Sequence, residues 1–202
     1  MVNKLLKWDK SLKYFLTGFA LLFLIFIVIY LVWLGKDLSS DVLPPLATVS
    51  ARYTPQSSRS MQNVDEYVMK GVIAIEEAKP LLTSKKAQDR WVAVYVIGRV
   101  SDVSNAQILL PLLQDEDEIV RISVAGTLAN KGYTEALPVL IEAVDSTNSI
   151  TYLHPEREIS DFSLEVLMTY TDQNFVLKND WLTWWDKNQS HLSWNTSTKQ
   201  YE

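Results

Sequence analysis

The stretch of sequence that decides the fold is DEDEIVRISVAGTLANKGYTEALPVLIEAVD, residues 115–145. The apolar residues of its first half recur one helical turn apart: Val120, Val124 and Leu128. This spacing places them on one face of a helix over residues 116–131, because side chains three and four positions apart share a helix face. Gly132 then precedes a second apolar run that contains Ala136 and Leu140. The stretch therefore predicts two short helices joined by a turn.

The same pattern occurs once more in the residues before this stretch. The first helices match at a shift of 31 residues: Arg90 with Arg121, Val94 with Ala125, Ile97 with Leu128, and Gly98 with Ala129. The second helices match at a shift of 30 residues: Ala106 with Ala136, Leu110 with Leu140, and Asp115 with Asp145. A period of about 30 residues built from helix pairs is typical of an α-solenoid, in which each pair must stack on its neighbours to bury its apolar face.

The repeat pattern weakens on both sides of these two copies. Residues 77–82, EAKPLL, are an earlier copy of a second helix. After an insertion at residues 146–155, a divergent first helix is predicted near residues 156–170, with these side chains facing inward: Ile159, Phe162, Val166, Leu167 and Tyr170. We therefore expect an all-α superhelix of about three helix pairs over residues 63–188.

The motif in the best-matched repeat resembles the short bacterial HEAT repeat, also called the phycobilisome-lyase type. The residues that carry the resemblance are Val120, Arg121, Val124, Ala125, Leu128 and Gly132. In that family an acidic residue ahead of the first helix and an arginine inside it form a ladder between repeats. Asp115 and Arg121 match these positions. The preceding repeat keeps Arg90 but has Ser84 in place of the acid, so the sequence does not decide whether the ladder extends to that repeat. The third pair has Ser160 in place of the arginine.

Three tryptophans close the repeat pattern: Trp181, Trp184 and Trp185. Their spacing puts them on one face of a helix. The segment resembles the closing W-x-x-W-W helix of many bacterial HEAT-repeat proteins, so we expect a cap that covers the apolar end of the solenoid. The alternative is an aromatic hot spot that binds a partner. A polar tail, residues 189–202, follows the cap.

A different kind of segment precedes the repeats. Residues 14–35 are 22 residues without a charge, and at about 1.5 Å per residue a helix of this length spans roughly 33 Å, enough to cross a bilayer. The main alternative, a cleaved signal peptide, is disfavoured because the nearest small-residue site, residues 47–51, lies far beyond the apolar run. We therefore predict a transmembrane helix over residues 14–35, followed by a linker over residues 36–62 that contains Pro44 and Pro45.

Flanking charge predicts the orientation of this helix. Four lysines precede it, Lys4, Lys7, Lys10 and Lys13, whereas Lys36 after it stands beside Asp37. We expect the helix to span the inner or plasma membrane of the cell. The positive-inside rule then keeps the arm at residues 1–13 in the cytoplasm. The repeat domain is then periplasmic or extracellular.

Composition limits the classes of partner. From Lys36 onward, 15 basic residues stand against 23 acidic ones, which argues against nucleic acid because phosphate binding needs a basic surface. The same excess argues against docking on anionic lipid headgroups. The chain has no cysteine, so thiolate metal sites are excluded.

The sequence shows no catalytic constellation, and we predict neither an enzyme nor a cofactor site. His154 and His191 are the only histidines, and neither has a second ligand at metal spacing. The acidic run 115–118 lacks the alternating ligands of a calcium loop. We interpret it instead as the start of a helix, with Asp115 as N-cap.

The leading hypothesis is a membrane-tethered protein-interaction scaffold or accessory subunit of an envelope complex. HEAT stacks usually bind along the face of their second helices, which implies these partner-binding residues: Asn105, Gln107, Gln114, Glu135 and Glu142. The anchor itself is another candidate contact with a larger membrane complex. The alternatives are a lyase-like or chromophore-handling protein, and a sensor subunit that signals through a partner.

Overall fold

The computed structural model describes residues 43–55, 57–100, 102–153 and 155–202, and Pro44–Glu202 form one compact unit. Within these ranges, no helix is both long and apolar enough to cross a bilayer. The predicted cytoplasmic arm 1–13 and transmembrane segment 14–35 lie outside the described residues, as does His154.

The described chain is mostly helical. The α-helices in chain order are α1 Leu46–Ala51, α2 Ser58–Val68, α3 Val72–Ala78, α4 Ala87–Val100, α5 Val103–Ala106, α6 Glu118–Ala129, α7 Leu137–Glu142, α8 Ile159–Thr171 and α9 Lys178–Asn188. Four 3-10 segments join them: Lys79–Thr83, Gln107–Gln114, Thr134–Ala136 and Ala143–Asp145. Two antiparallel pairs of short strands complete the fold: β1 Ser149–Ile150 with β2 Arg157–Glu158, and β3 Trp194–Asn195 with β4 Gln200–Tyr201.

The first helices of successive repeats stack side by side, α4 on α6 and α6 on α8. In α4 and α6, the inward-facing residues Ile97, Val124 and Leu128 are fully buried, as the helical spacing predicted. The second helices are shorter and partly 3-10 in form, and Pro111 lies inside the segment Gln107–Gln114. Proline has no backbone N–H to donate, so it interrupts a regular α-helix.

The described part of the predicted linker is folded into the domain, contrary to the prediction for residues 36–62. Leu46, Val49 and Tyr53 are buried, and α1 packs on α2 and α4. The prolines that suggested a linker stand instead at the start of α1, and Pro45 is its N-cap residue. A proline near a helix start costs no hydrogen bond, because the first N–H groups have no partner within the helix.

The predicted polar tail is also part of the domain. Tyr201 is buried and its hydroxyl donates to the carbonyl oxygen of Ala129 over 3.1 Å. The indole of Trp194 lies so close to Gly132 that a Cβ there would collide with it, and Gly132 has a positive φ of 86°. The β3–β4 hairpin therefore packs on the turn after α6, because its two aromatic rings find apolar surface there.

The insertion after α7 also departs from the all-α prediction. Residues 157–158, predicted as the start of a helix, pair with β1, and α8 begins at Ile159. Ile150 and Ile159 are buried in one cluster with Ile122 and Ala143. The insertion is therefore a folded hairpin that is anchored in the core.

Candidate functional site: a groove between the first helices

A groove of about 360 Å³ lies among α4, α6, α8 and the insertion. We call it the first-helix groove. Its lining comes from α4 (Trp91, Val94, Tyr95, Gly98 and Arg99), α6 and the residue after it (Ser123, Gly126, Thr127 and Asn130), the insertion (Ile150 and Leu153) and α8 (Phe162, Glu165, Val166 and Tyr170).

Two glycines set the spacing of the helices around the groove. A Cβ at Gly98 would lie 2.7 Å from Cγ2 of Thr127, and a Cβ at Gly126 would lie 2.5 Å from Cζ of Phe162. Both distances are shorter than any ordinary contact, so a larger residue requires one of the neighbours to move. Glycine therefore permits α4, α6 and α8 to approach closely at the groove.

An aromatic cluster joins the groove to the residues just after α1 and to the insertion. The ring of Trp91 lies 5.4 Å from Tyr53, 5.7 Å from Tyr95 and 5.3 Å from Tyr152, measured between centroids. The Trp91 indole N–H donates to the Ser123 hydroxyl over 3.1 Å. The Tyr53 hydroxyl donates to the carbonyl oxygen of Tyr152 over 2.5 Å. These contacts hold three distant parts of the chain around one wall of the groove.

Tyr95 is held as a neutral hydrogen-bond donor. Its hydroxyl donates to Oδ1 of Asp65 over 2.7 Å. Burial, together with the smaller effect of the hydrogen bond to Asp65, raises the pKa of Tyr95 to about 12. The phenol therefore stays protonated at neutral pH, and its ring is fixed as part of the wall.

Charged side chains lie at the edge of the groove. Glu165 forms an ion pair with Arg157, whose guanidinium lies 5.3 Å from the centroid of the Phe162 ring. Arg99 is exposed and lies 5.7 Å from the centroid of the Tyr95 ring. Within the described part of the chain, Arg99 has no carboxylate partner within salt-bridge distance. The edge therefore presents one cation that is available to a bound group.

The arginines of the two matched repeats make equivalent backbone contacts. Nη1 of Arg90 donates to the carbonyl oxygen of Ser84 over 2.8 Å, and Nη1 of Arg121 donates to that of Asp115 over 2.6 Å. Arg90 also binds both carboxylate oxygens of Asp115, each over 2.7 Å. The ladder contact thus runs from the arginine of one repeat to the acid of the next repeat. Arg90 therefore forms it with Asp115, although its own repeat has Ser84 at the acid position.

The acidic run 115–118 is used in structural hydrogen bonds. We expected Asp115 to be the N-cap of α6, but its carboxylate binds Arg90 instead. Asp117 is the N-cap and accepts from the N–H of Val120 over 3.0 Å. Glu118 accepts from Ser146 and Asn148 over 2.9 and 2.5 Å. Across the described ranges, no group of three or more His, Cys, Asp or Glu residues is placed to hold a metal ion.

The five residues proposed for partner binding on the second helices are all exposed: Asn105, Gln107, Gln114, Glu135 and Glu142. Gln114 and Glu142 share a smaller hollow of about 310 Å³ with Arg121 and Val139, and Nζ of Lys178 lies 2.7 Å from the Glu142 carboxylate. The other three residues do not line this hollow. The structure therefore does not gather the five residues into one site.

The three tryptophans of the predicted cap differ in their surroundings. Trp181 is fully buried, and its indole N–H donates to the carbonyl oxygen of Phe175 over 3.1 Å. Trp184 meets Trp181 edge to face, with 5.9 Å between centroids, but is only partly buried, as is Trp185. The central role in closing this end therefore belongs to Trp181.

Sequence reasoning did not find the first-helix groove. The inward stripe of α8 was predicted to contain Phe162 and Tyr170, but both are partly exposed and line the groove. The available signal was the presence of Tyr95 and Gly126 at equivalent positions of α4 and α6, 31 residues apart. Neither residue belongs to the apolar stripe used to place the helices.

Comparison with known proteins supports the repeat assignment. Residues 75–152 match a family model described as HEAT repeats. This range contains α4 and α6 and ends in the insertion. No curated protein matches the chain. The prediction of HEAT repeats in an all-α solenoid is thereby confirmed in its general form.

Proposed function

We propose that this chain is a membrane-anchored HEAT-repeat scaffold or accessory subunit of a bacterial envelope complex, and that it holds an apolar segment of a protein partner in the first-helix groove. HEAT-repeat stacks are commonly protein-interaction scaffolds, since their stacked helices form extended binding surfaces. The proposal assigns the chain no catalytic role and no cofactor.

The observation that carries the proposal is the composition of the first-helix groove. Its volume of about 360 Å³ falls within the roughly 300–1,000 Å³ typical of ligand sites. Its wall contains Trp91, Tyr95, Phe162 and Tyr170, and aromatic residues are enriched at the energetic centres of protein interfaces. An apolar side chain of the partner would displace water from this wall.

Arg99 narrows the chemistry of the partner further. Its guanidinium is exposed at the edge of the groove and has no carboxylate partner among the residues described. A carboxylate beside the inserted apolar side chain would form a charge-assisted hydrogen bond there. The partner segment proposed here is therefore apolar with a neighbouring acidic group.

The membrane part of the proposal rests on residues 14–35, whose uncharged length suits a spanning helix. The lysines before this segment favour a cytoplasmic N-terminus. A cysteine introduced at Ser190 tests the orientation, because the chain has none of its own. It should react with an impermeant maleimide once the outer membrane alone is opened. Labelling that requires lysis of the inner membrane would reverse the topology.

Site-specific photocrosslinking tests the groove. A benzophenone amino acid replaces Asn130 on the edge of the first-helix groove or, as the matched control, Gln114 in the hollow between second helices. Both residues are exposed, so both variants should fold. After irradiation of native membranes, we expect a discrete adduct from position 130 and none from position 114.

A second pair of variants asks whether the same contact is needed for the complex. Asn130→Trp should block the first-helix groove and reduce co-purification of the crosslinked partner, whereas Gln114→Trp should not. The reverse result would place binding on the second-helix face. If both variants still bind the partner, neither face is the binding surface.

A further inference from the structure

The turn between α2 and α3 and the first two residues of α3, together residues 69–73, expose three apolar side chains. Met69 is 87% exposed, Val72 is 70% exposed and Ile73 is 65% exposed. Gly71 makes the turn with a positive φ of 60° and has open space around it. Single apolar residues on a surface are ordinary, but a cluster of them at the tip of a turn marks a contact surface.

The position of this turn in the fold indicates what it contacts. Tyr67, at the end of α2, is fully buried, and its hydroxyl donates to the carbonyl oxygen of Pro44. The turn is thereby fastened to the point where the compact unit begins. Pro44 lies nine residues after Gly35, and nine extended residues span at most about 30 Å. The turn is thus within reach of a bilayer that holds residues 14–35.

Both lysines near the turn are paired with carboxylates. Lys70 pairs with Glu77 over 3.3 Å, and Lys79 pairs with Glu76 over 2.5 Å. The tip therefore offers apolar area without an unpaired lysine that would select anionic headgroups. Three side chains are also too few for a stable interface with a second copy, which needs about 800 Å² from each partner.

We propose that Met69, Val72 and Ile73 insert into the boundary between headgroups and acyl chains of the bilayer, so that the domain lies on the membrane surface. This inference rests on the proposed membrane anchor. Because insertion is driven by apolar burial, it should occur on zwitterionic lipid and persist at high salt. Docking of this kind would hold the domain in one orientation relative to the membrane.

The absence of native cysteine allows a clean test on the full chain. Ile73→Cys and, as the matched control, Val176→Cys each place a thiol at an exposed apolar position, 65% and 66% exposed respectively. Each variant carries an environment-sensitive nitrobenzoxadiazole label and is reconstituted into phosphatidylcholine vesicles with and without doxyl-labelled lipid. Flotation first establishes whether the chain is in the vesicles.

We expect the label at position 73 to emit at shorter wavelength and to be quenched by doxyl lipid about threefold more strongly than the label at position 176, at low and high salt alike. Aqueous emission from position 73 in vesicle-bound chain would overturn the inference and leave the anchor intact. A blue shift without lipid quenching that grows with protein density would also overturn it, in favour of a second copy. A chain that fails to float overturns the anchor and this inference together.

Discussion

The first-helix face and the second-helix face of this domain come from the same repeats, yet they present different surfaces. On the first-helix face, aromatic rings and two glycines surround one large groove. On the second-helix face, a smaller hollow is lined by polar and small aliphatic residues and by no aromatic ring among the residues described. The family resemblance favours the second helices as the binding surface, but in this chain the aromatic lining lies on the other side.

The difference follows from the lengths of the helices and from the insertion. The first helices α4, α6 and α8 contain 14, 12 and 13 residues, long enough for side chains beyond the buried stripe to form a wall. The second helices are short and tightened by 3-10 turns, and the five candidate residues exposed on them are all polar. The insertion adds Ile150 and Leu153 to the first-helix side alone. A divergent connection can therefore create a site that the repeat itself does not contain.

The largest effect should come from the interior that both faces share. Leu128→Asp puts an unpaired carboxylate at a fully buried position, which costs several kcal/mol out of a typical total of about 5–15 kcal/mol. We expect this variant to be unfolded. Glu142→Ala, at an exposed position on the second-helix face, should melt within a few degrees of the parent. Circular dichroism melts of residues 44–202 make the comparison, and equal midpoints would disprove the helical register.

The next largest effect should distinguish the three tryptophans. Trp181→Ala removes a fully buried indole and its hydrogen bond to Phe175, and an aromatic-to-alanine change in a core costs about 3–5 kcal/mol. Trp184→Ala and Trp185→Ala should cost clearly less, because both rings are partly exposed. Urea unfolding of the three variants gives the ranking. Equal losses in all three would restore the simpler picture of one uniform aromatic cap.

The helical repeats could be predicted because their signal is local. The spacing of Val120, Val124 and Leu128 identifies a buried face within a single helix, whatever the helix packs against. The same argument gives no access to contacts between remote segments. The Tyr53 hydroxyl meets the Tyr152 carbonyl across 99 positions of sequence, and no period predicts that contact. The first-helix groove depends on such contacts and was therefore missed.

The two boundary errors have a related cause. Residues 46–53 contain a short apolar stripe, Leu46, Val49 and Tyr53, but Pro44 and Pro45 just before it suggested an extended linker. Residues 189–202 are polar apart from a few side chains, of which Trp194 and Tyr201 hold the hairpin against the domain. Average composition describes such segments poorly, because one or two aromatic rings decide whether they pack.

Replacing the two matched arginines, Arg90 and Arg121, should lower the stability of the domain by different amounts. The side chains of Arg90 and Asp115 are 7% and 6% exposed, and the hydrogen bonds that Arg90 donates to Asp115 raise the pKa of the guanidinium. Arg90→Ala leaves a buried carboxylate without its cation, which costs about 3–5 kcal/mol; we expect the lower end, since Asp115 keeps a bond from the Asp117 N–H over 2.9 Å.

Arg121→Ala is the matched control for this measurement. Arg121 donates to backbone carbonyls and, within the described part of the chain, makes no ion pair. Its loss should cost about 1 kcal/mol, as for an ordinary hydrogen bond. Equal costs for the two arginines in urea unfolding would show that the buried ion pair between repeats adds nothing to the common backbone contact.

The smallest effect on stability should come from a change confined to the first-helix face. In Gly126→Ala, the new methyl would lie 2.5 Å from the tip of the Phe162 ring, so the ring must move. Phe162 is partly exposed and borders the groove, and it has open space to enter. The cost of this shift, about 1–3 kcal/mol for overpacking, is offset by about 1 kcal/mol gained when alanine replaces glycine in a helix.

We therefore expect Gly126→Ala to change the melting midpoint of the domain by only a few degrees and to narrow the groove. The photocrosslinked adduct from position 130 should then weaken, although the fold is kept. Gln114→Ala, on the second-helix face, should leave both the midpoint and the adduct unchanged. If Gly126→Ala preserves the adduct at full strength, the partner does not enter the groove beside Phe162. The two faces then differ in how their side chains pack, and this difference has no role in partner binding.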